Sequence, residues 1–183
     1  LGTVVLGAGA TLQTIDRAAV TAATKIGTLQ LDGATGTLQD KHHSGSIAVE
    51  TLQLGTGVSK ATLNLTKNAT STYSTLFTLG SATAEAGNFA GTIQLNEVNK
   101  DTNRSAFIIL ANGEIARNAV ISFADAKSSD AVLGLGINTD SATIAGLESH
   151  SGDMKQAKLF SGTVNHVYQW ASSASAPDTV GDK

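Results

Sequence analysis

The stretch that decides the fold is Gly27-Thr28-Leu29-Gln30-Leu31, because this phrase returns along the chain. Full copies and shorter relatives share a small or hydroxylated first residue and alternating aliphatic residues: Gly2-Thr3-Val4-Val5-Leu6, Gly36-Thr37-Leu38-Gln39, Thr51-Leu52-Gln53-Leu54-Gly55, Thr62-Leu63-Asn64-Leu65-Thr66 and Gly91-Thr92-Ile93-Gln94-Leu95. Alternation of apolar and polar residues with period two predicts a half-buried β-strand. The glycines and asparagines around the phrases are typical of strand ends.

Recurrence of one strand type, at irregular spacing, favours stacked coils that carry loops of different length. Two-residue hairpin signals are scarce, since Asn112-Gly113 is the only Asn-Gly and Asp-Gly is absent. Aromatic residues make up only 4% of the chain, which suits thin layers with small inward slots. We therefore predict an all-β fold, a right-handed parallel β-helix (β-solenoid) over residues 1–171 with a polar tail at 172–183. A β-sandwich is the alternative.

The second half lacks the exact phrase but keeps the β pattern. We predict strands in five short apolar or alternating stretches: 105–110, 118–123, 131–137, 143–147 and 159–170. In the third of these, Leu133, Leu135 and Ile137 are expected inward, with Gly134 and Gly136 outward. One helix, from Thr14 to Lys25, is considered because Thr14 is a capping residue and alanines form a thin apolar stripe.

Composition excludes several classes of protein. The chain has no cysteine, which excludes disulfide scaffolds and thiolate metal sites. The net charge of −3 and the pI of about 5.7 give no electrostatic basis for binding nucleic acid. No apolar run approaches the ~20 residues of a membrane-spanning helix, so membrane insertion is not expected. Because the chain starts at Leu1 inside a strand-like pattern, we interpret it as a piece of a longer protein.

Residues 89–165 resemble the autotransporter-associated β-strand repeat. The matching segments are its opening strand, its alanine-rich turn and its later strands: Gly91-Thr92-Ile93-Gln94-Leu95, Asn112-Gly113-Glu114-Ile115-Ala116, Ala119-Val120-Ile121-Ser122-Phe123, Leu133-Gly134-Leu135 and Thr143-Ile144-Ala145-Gly146-Leu147. The family pattern follows that last leucine with Ser-Gly, whereas Glu148-Ser149 intervenes in this chain. The resemblance implies a parallel β-helix in a large bacterial surface or secreted protein, and it implies no catalytic residues.

Candidate catalytic and metal-binding residues form no recognisable pattern. His42-His43 would face opposite sides of a strand, and Asp40-Lys41 before them with Ser44-Gly45 after them indicates a polar loop. Scattered aspartates lack the regular repeat of solenoid calcium sites. The glutamates at 50, 85, 97, 114 and 148 are spread over expected turns, without the pairing that glycoside hydrolysis needs. We predict no enzymatic activity, no cofactor and no metal.

Tyr168 and Trp170 are the candidate ligand-binding residues, because they share a strand face and aromatic rings stack on sugars. The competing interpretation is that these rings cover the last coil. The sequence thus predicts a structural or adhesin-type segment, a rigid stalk or passenger scaffold, that is extracellular or on the bacterial cell surface. A carbohydrate-binding module or a polysaccharide-active β-helix is the alternative. Expected partners are host or environmental glycans, surface proteins or further copies of the chain, and not nucleic acid.

Overall fold

The computed structural model describes residues 1–14, 23–41, 46–67, 75–97, 106–124, 133–149, 158–161 and 166–169. These residues form strands, turns and extended segments, with no helix among them. The strands are β1 (Thr3–Leu6), β2 (Ala10–Gln13), β3 (Thr24–Leu31), β4 (Thr35–Asp40), β5 (Ser46–Leu54), β6 (Ala61–Lys67), β7 (Thr75–Leu79), β8 (Ala90–Glu97), β9 (Ala106–Leu110), β10 (Asn118–Phe123), β11 (Leu133–Ile137), β12 (Gly146–Ser149), β13 (Lys158–Ser161) and β14 (His166–Gln169).

Odd and even strands separate into two sheets, except that β14 joins the odd-numbered strands. The first sheet has the order β1-β3-β5-β7-β9-β11-β13-β14, and the second has the order β12-β10-β8-β6-β4-β2. All these neighbours are parallel except β13 and β14, which are antiparallel. A chain that passes alternately between two parallel sheets and always moves to the next position is a β-solenoid, so the predicted fold is confirmed and the β-sandwich alternative is wrong.

The early coils have a third side, because β3 and β5 bend in the middle. The pairing of β3 with β5 omits Gly27 and Glu50 at the bend. Beyond the bend, the second half of β5 lies beside a segment of the next coil that is not a strand. The contact is a hydrogen bond from the Leu52 N–H to the Ala86 carbonyl oxygen in that segment, at 3.2 Å. Before the bend, the first half of β5 pairs with β7.

The core consists of aliphatic ladders that run from coil to coil. In the second sheet, Leu38, Leu65, Leu95 and Phe123 occupy one register position in successive strands, and each is fully buried. In the first sheet the corresponding ladder is Ile47, Phe77, Ile108 and Leu135. Each such buried side chain contributes about 1.5–3 kcal/mol of transfer free energy. The repeated phrase therefore supplies one rung per coil to a single continuous core.

The repeated phrases fall within strands, as the sequence predicts. Leu133 and Leu135 are buried as predicted, whereas Ile137 is only half-buried, and Gly134 and Gly136, which were expected to face outward, are buried as well. The helix predicted over 14–25 is wrong at its end, because Thr24 and Lys25 begin β3 and pair with Ile47 and Ala48; residues 15–22 lie outside the described part. Pairing with the next coil outweighs the weak helical pattern of a threonine-rich segment.

Two further strands differ from expectation, one in its existence and one in its first residue. β7 was not predicted from its sequence, Thr-Leu-Phe-Thr-Leu, which alternates like the phrase but lacks its glycine. β12 begins at Gly146 and not at residue 143; Thr143 donates its N–H to the Gly113 carbonyl oxygen in a turn, and Ala145 donates its N–H to the Ala119 carbonyl oxygen in β10. The polar tail predicted at 172–183 lies outside the described residues.

Candidate functional site

The inward ladder of the second sheet ends in charged residues. Two positions beyond Leu38 and Leu65, Asp40 pairs in register with Lys67. The exposed fraction is 0% for Asp40 and 2% for Lys67, so both side chains are enclosed. Lysine and aspartate are almost never fully buried unless they are paired. This end of the ladder is therefore the place among the described residues where reactive polar groups meet the core.

Two threonine hydroxyls hold the Asp40 carboxylate. Thr14 Oγ1 donates to Asp40 Oδ1 at 3.0 Å, and Thr75 Oγ1 donates to Oδ2 at 2.6 Å. Both threonines are buried. The Lys41 N–H in turn donates to Thr14 Oγ1 at 2.8 Å, which fixes the orientation of that hydroxyl. We call Thr14, Asp40, Lys67 and Thr75 the polar corner.

The polar corner joins separate coils through one carboxylate. Thr14 follows β2 and stays beside β4 through its own N–H, which donates to the Gln39 carbonyl oxygen at 2.9 Å. Thr75 is the first residue of β7, two strands further along the first sheet than β3. Hydrogen bonds to an ionised acceptor are about twice as strong as neutral ones. Both Asp40 oxygens therefore have a donor from a different coil, and their position is fixed within a dry interior.

A second chain of polar contacts lies outside the core, on the third side of the early coils. Gln53 Nε2 donates to Gln30 Oε1 at 2.9 Å, and Gln30 Nε2 donates to Asp32 Oδ1 at 2.6 Å. Gln30 and Gln53 pair in register, so their amides stack in the direction of the solenoid axis. This glutamine ladder adds side-chain hydrogen bonds between coils that already share backbone bonds.

The outer face of the second sheet is polar and uncharged in its central strands. The residues of β4, β6 and β8 that alternate with the core ladder form three register columns, in which Thr66 is buried and the other residues are at least partly exposed: Thr35, Thr62 and Thr92; Thr37, Asn64 and Gln94; and Gln39, Thr66 and Asn96. Hydroxyls and amides along such a face can donate and accept hydrogen bonds without selecting for ligand charge. The face resembles a scaffold surface, with no group on it that is suited to acid–base catalysis.

The residues predicted for ligand binding are not tested by the structure. Trp170 and the His42-His43 pair lie outside the described residues. For Tyr168 only the backbone is described, and it pairs with Leu159 in the antiparallel end of the first sheet. Their proposed roles remain predictions.

The glutamates were expected to lie in turns, which is wrong for Glu50 in β5 and for Glu148 in β12. Glu50, Glu85, Glu114 and Glu148 are all exposed, and they stand on different strands and turns. Within the described ranges, no three histidine, aspartate or glutamate side chains come close enough to hold a metal ion.

Sequence reasoning missed the polar corner. It placed Asp40 in a polar loop beside His42, whereas Asp40 is the last residue of β4 and is fully buried. The signal was available in the period-two pattern. Leu38-Gln39-Asp40 and Leu65-Thr66-Lys67 each place a charged residue at the next inward position of a phrase. Charged residues are usually interpreted as the end of a strand, which hid the continuation.

No helix in the described part of the chain is long and apolar enough to cross a membrane.

The comparisons with known proteins do not assign the chain to a family. No protein-family model, curated protein or solved structure matches the chain. The resemblance to the autotransporter-associated repeat therefore stays a prediction from sequence.

Proposed function

We propose that this chain is a structural segment, a rigid stalk or passenger scaffold, of a large secreted or surface-exposed bacterial β-helix protein. The observation that supports the proposal is the unbroken register of the second sheet, in which each strand from β12 to β2 pairs in parallel with the next. A solenoid of this kind gains length by adding coils, each of which contacts only its neighbours. Length and stiffness, and not a pocket, are what such a repeat provides.

The lengths of the connections support the same role. The strand bounds leave six connections from the second sheet back to the first, at residues 14–23, 41–45, 68–74, 98–105, 124–132 and 150–157, and their lengths differ. Each follows a strand of the second sheet, and those strands are parallel neighbours in register. The register is therefore maintained although the number of residues between the strands changes. Tolerance of variable connections is expected of a scaffold.

The proposal is tested by changing the number of coils. Thr28 and Thr51 are register equivalents, so residues 28–50 constitute one exchangeable coil. One, two and four extra copies inserted after Glu50 should give folded proteins whose long dimension in X-ray scattering rises by about 4.8 Å per copy. A scrambled 28–50 insert of the same composition is the control. Loss of folding with the native insert, or no increase in length, would contradict the proposal.

A binding function is the competing outcome. On this proposal the purified chain gives no saturable signal on a broad panel of glycans. Saturable binding by the original chain that is lost in Trp170→Ala, with β-rich circular dichroism retained by both, would reject the pure scaffold. The segment would then be a carbohydrate-binding module, with the aromatic residues near its end as the site.

A further inference from the structure

Lys67 is a charged residue enclosed in the core, and the scaffold role does not account for its charge. It occupies the last inward position of β6, it is 2% exposed, and an aliphatic side chain there would extend the leucine ladder. Burying an ammonium group costs several kcal/mol unless partners compensate for the lost water. A primary amine enclosed in the core is also a potential nucleophile.

Asp40 is the register neighbour of Lys67 on the preceding coil. Adjacent strands lie about 4.8 Å apart, and paired side chains on one face have Cβ atoms about 5 Å apart. Both side chains point inward into the same enclosed space, since the exposed fractions are 0% and 2%. The lysine side chain is long enough for its Nζ to reach Asp40 Cγ from the neighbouring rung.

We propose that Lys67 and Asp40 form an intramolecular isopeptide bond. A proton first passes from the Lys67 ammonium group to the Asp40 carboxylate, which gives a neutral amine and a carboxylic acid. Lys67 Nζ then attacks Asp40 Cγ, an N–C bond forms, and the bond from Cγ to the protonated oxygen breaks. That hydroxyl leaves with one proton from Nζ as one water molecule. The product is a neutral secondary amide, so the reaction needs no oxidant, reductant or cofactor.

The geometry of the polar corner favours this condensation in two ways. Holding two reactants in one orientation is equivalent to effective concentrations of about 10⁵–10⁸ M in well-aligned cases. The hydroxyls of Thr14 and Thr75, at 3.0 and 2.6 Å from the two carboxylate oxygens, donate to the atoms where negative charge develops as Cγ is attacked. Thr75 Oγ1, at the shorter distance, contacts the departing oxygen directly, so we assign Thr75 as a catalytic residue of this step.

The bond would link β4 to β6 covalently through their side chains. Strands of a solenoid are otherwise joined between coils by hydrogen bonds and by packing, which local unfolding can open from either end. A cross-link at this position keeps two successive coils together when those bonds open. The inference does not depend on the scaffold proposal, because the chemistry is the same whatever the segment does.

Intact mass of the purified, folded chain tests the inference directly. Under denaturing conditions the chain should weigh one water molecule less than its sequence. Trypsin should then yield a branched peptide in which residues 26–41 are joined to residues 61–100, because an acylated Lys67 is not cleaved. Lys67→Arg keeps the positive charge but removes the amine, and it should restore the full mass. Thr75→Val should slow the appearance of the lighter species after refolding.

Two results would overturn the proposal. One is a folded original chain, verified by circular dichroism, whose mass equals that of its sequence after prolonged incubation. The other is a water loss that persists in Lys67→Arg, because it would then come from cyclisation elsewhere in the chain. Neither result bears on the coil-number experiment, so failure of the cross-link and failure of the scaffold role are distinguishable.

Discussion

Asp40 and Thr75 are 35 residues apart in sequence, yet Thr75 Oγ1 donates to Asp40 Oδ2 at 2.6 Å inside the solenoid. Asp40 ends a strand of the second sheet and Thr75 begins a strand of the first, so this contact closes the corner between the sheets. Thr14 reaches the other carboxylate oxygen from the opposite direction along the stack. One buried carboxylate thus sets the relative position of three segments.

Replacing Asp40 with alanine should destabilise the protein strongly. The change removes the acceptor of two buried hydroxyls and leaves Lys67 enclosed without its register neighbour. Removing one member of a buried charged set costs about 3–5 kcal/mol. Chemical denaturation followed by circular dichroism measures the free energy of unfolding. Asp32→Ala is the matched control, because Asp32 is exposed and accepts a hydrogen bond from Gln30; the loss of this one bond should cost only about 0.5–1.5 kcal/mol. Equal losses in both variants would refute the structural role of the corner.

The cost of a core truncation should depend on its position along the ladder. Leu65 and Leu12 belong to the same inward ladder, but Leu65 is fully buried mid-stack, and Leu12 lies on an outer strand and is only partly buried. Leu65→Ala should cost about 2–5 kcal/mol through lost transfer energy and a residual cavity. Leu12→Ala should cost clearly less, because surrounding groups and water can fill the space. Thermal unfolding of both variants checks this, and indistinguishable midpoints would show that the ladder is not continuous.

The strands and the solenoid were predictable because they depend on local pattern. The alternation around Leu29 predicts which side chains face inward. The recurrence of the phrase predicts that strands with the same pattern lie next to one another in successive coils. Pairing of Thr28 with both Thr3 and Thr51 follows directly from aligning the copies. Features that repeat once per coil can therefore be predicted from a single sequence.

The polar corner was predictable only in part by the same reasoning. Aligning the phrases places Asp40 beside Lys67 and places Thr14 directly after Gln13, the register partner of Gln39. Thr75 lies in the other sheet, and no alignment of phrases within the second sheet brings it to Asp40. The charged residues that follow Leu38 and Leu65 were interpreted as the start of loops. Both strands instead extend to the charged residue, and its side chain occupies one more inward position.

The glutamine ladder should show measurable coupling between coils. Gln53 donates to Gln30 at 2.9 Å on a partly exposed face, where one hydrogen bond contributes about 0.5–1.5 kcal/mol. In a double-mutant cycle of Gln30→Ala and Gln53→Ala, the two changes should be less than additive, because each alone removes the shared bond. Free energies of unfolding from urea titration give the coupling. Strict additivity would mean that the amides contribute independently and that the ladder does not join the coils.

The glycine that opens the phrase at Gly91 should tolerate no side chain. Its φ of 127° is a conformation that favours glycine, and a Cβ placed there would lie 2.0 Å from the Ala61 carbonyl oxygen of the preceding coil. Gly91→Ala should therefore cost about 3 kcal/mol or more, because unfavourable φ alone costs about 1–3 kcal/mol and the backbone clash adds to it. Gly7→Ala is the control, since a Cβ at Gly7 meets no atom within 4 Å and its φ is not positive. Differential scanning calorimetry of the two variants separates the explanations. A large loss only in Gly91→Ala would show that close approach of successive coils requires this glycine, whereas similar small losses would mean that the strands β6 and β8 can move apart to accept a methyl group.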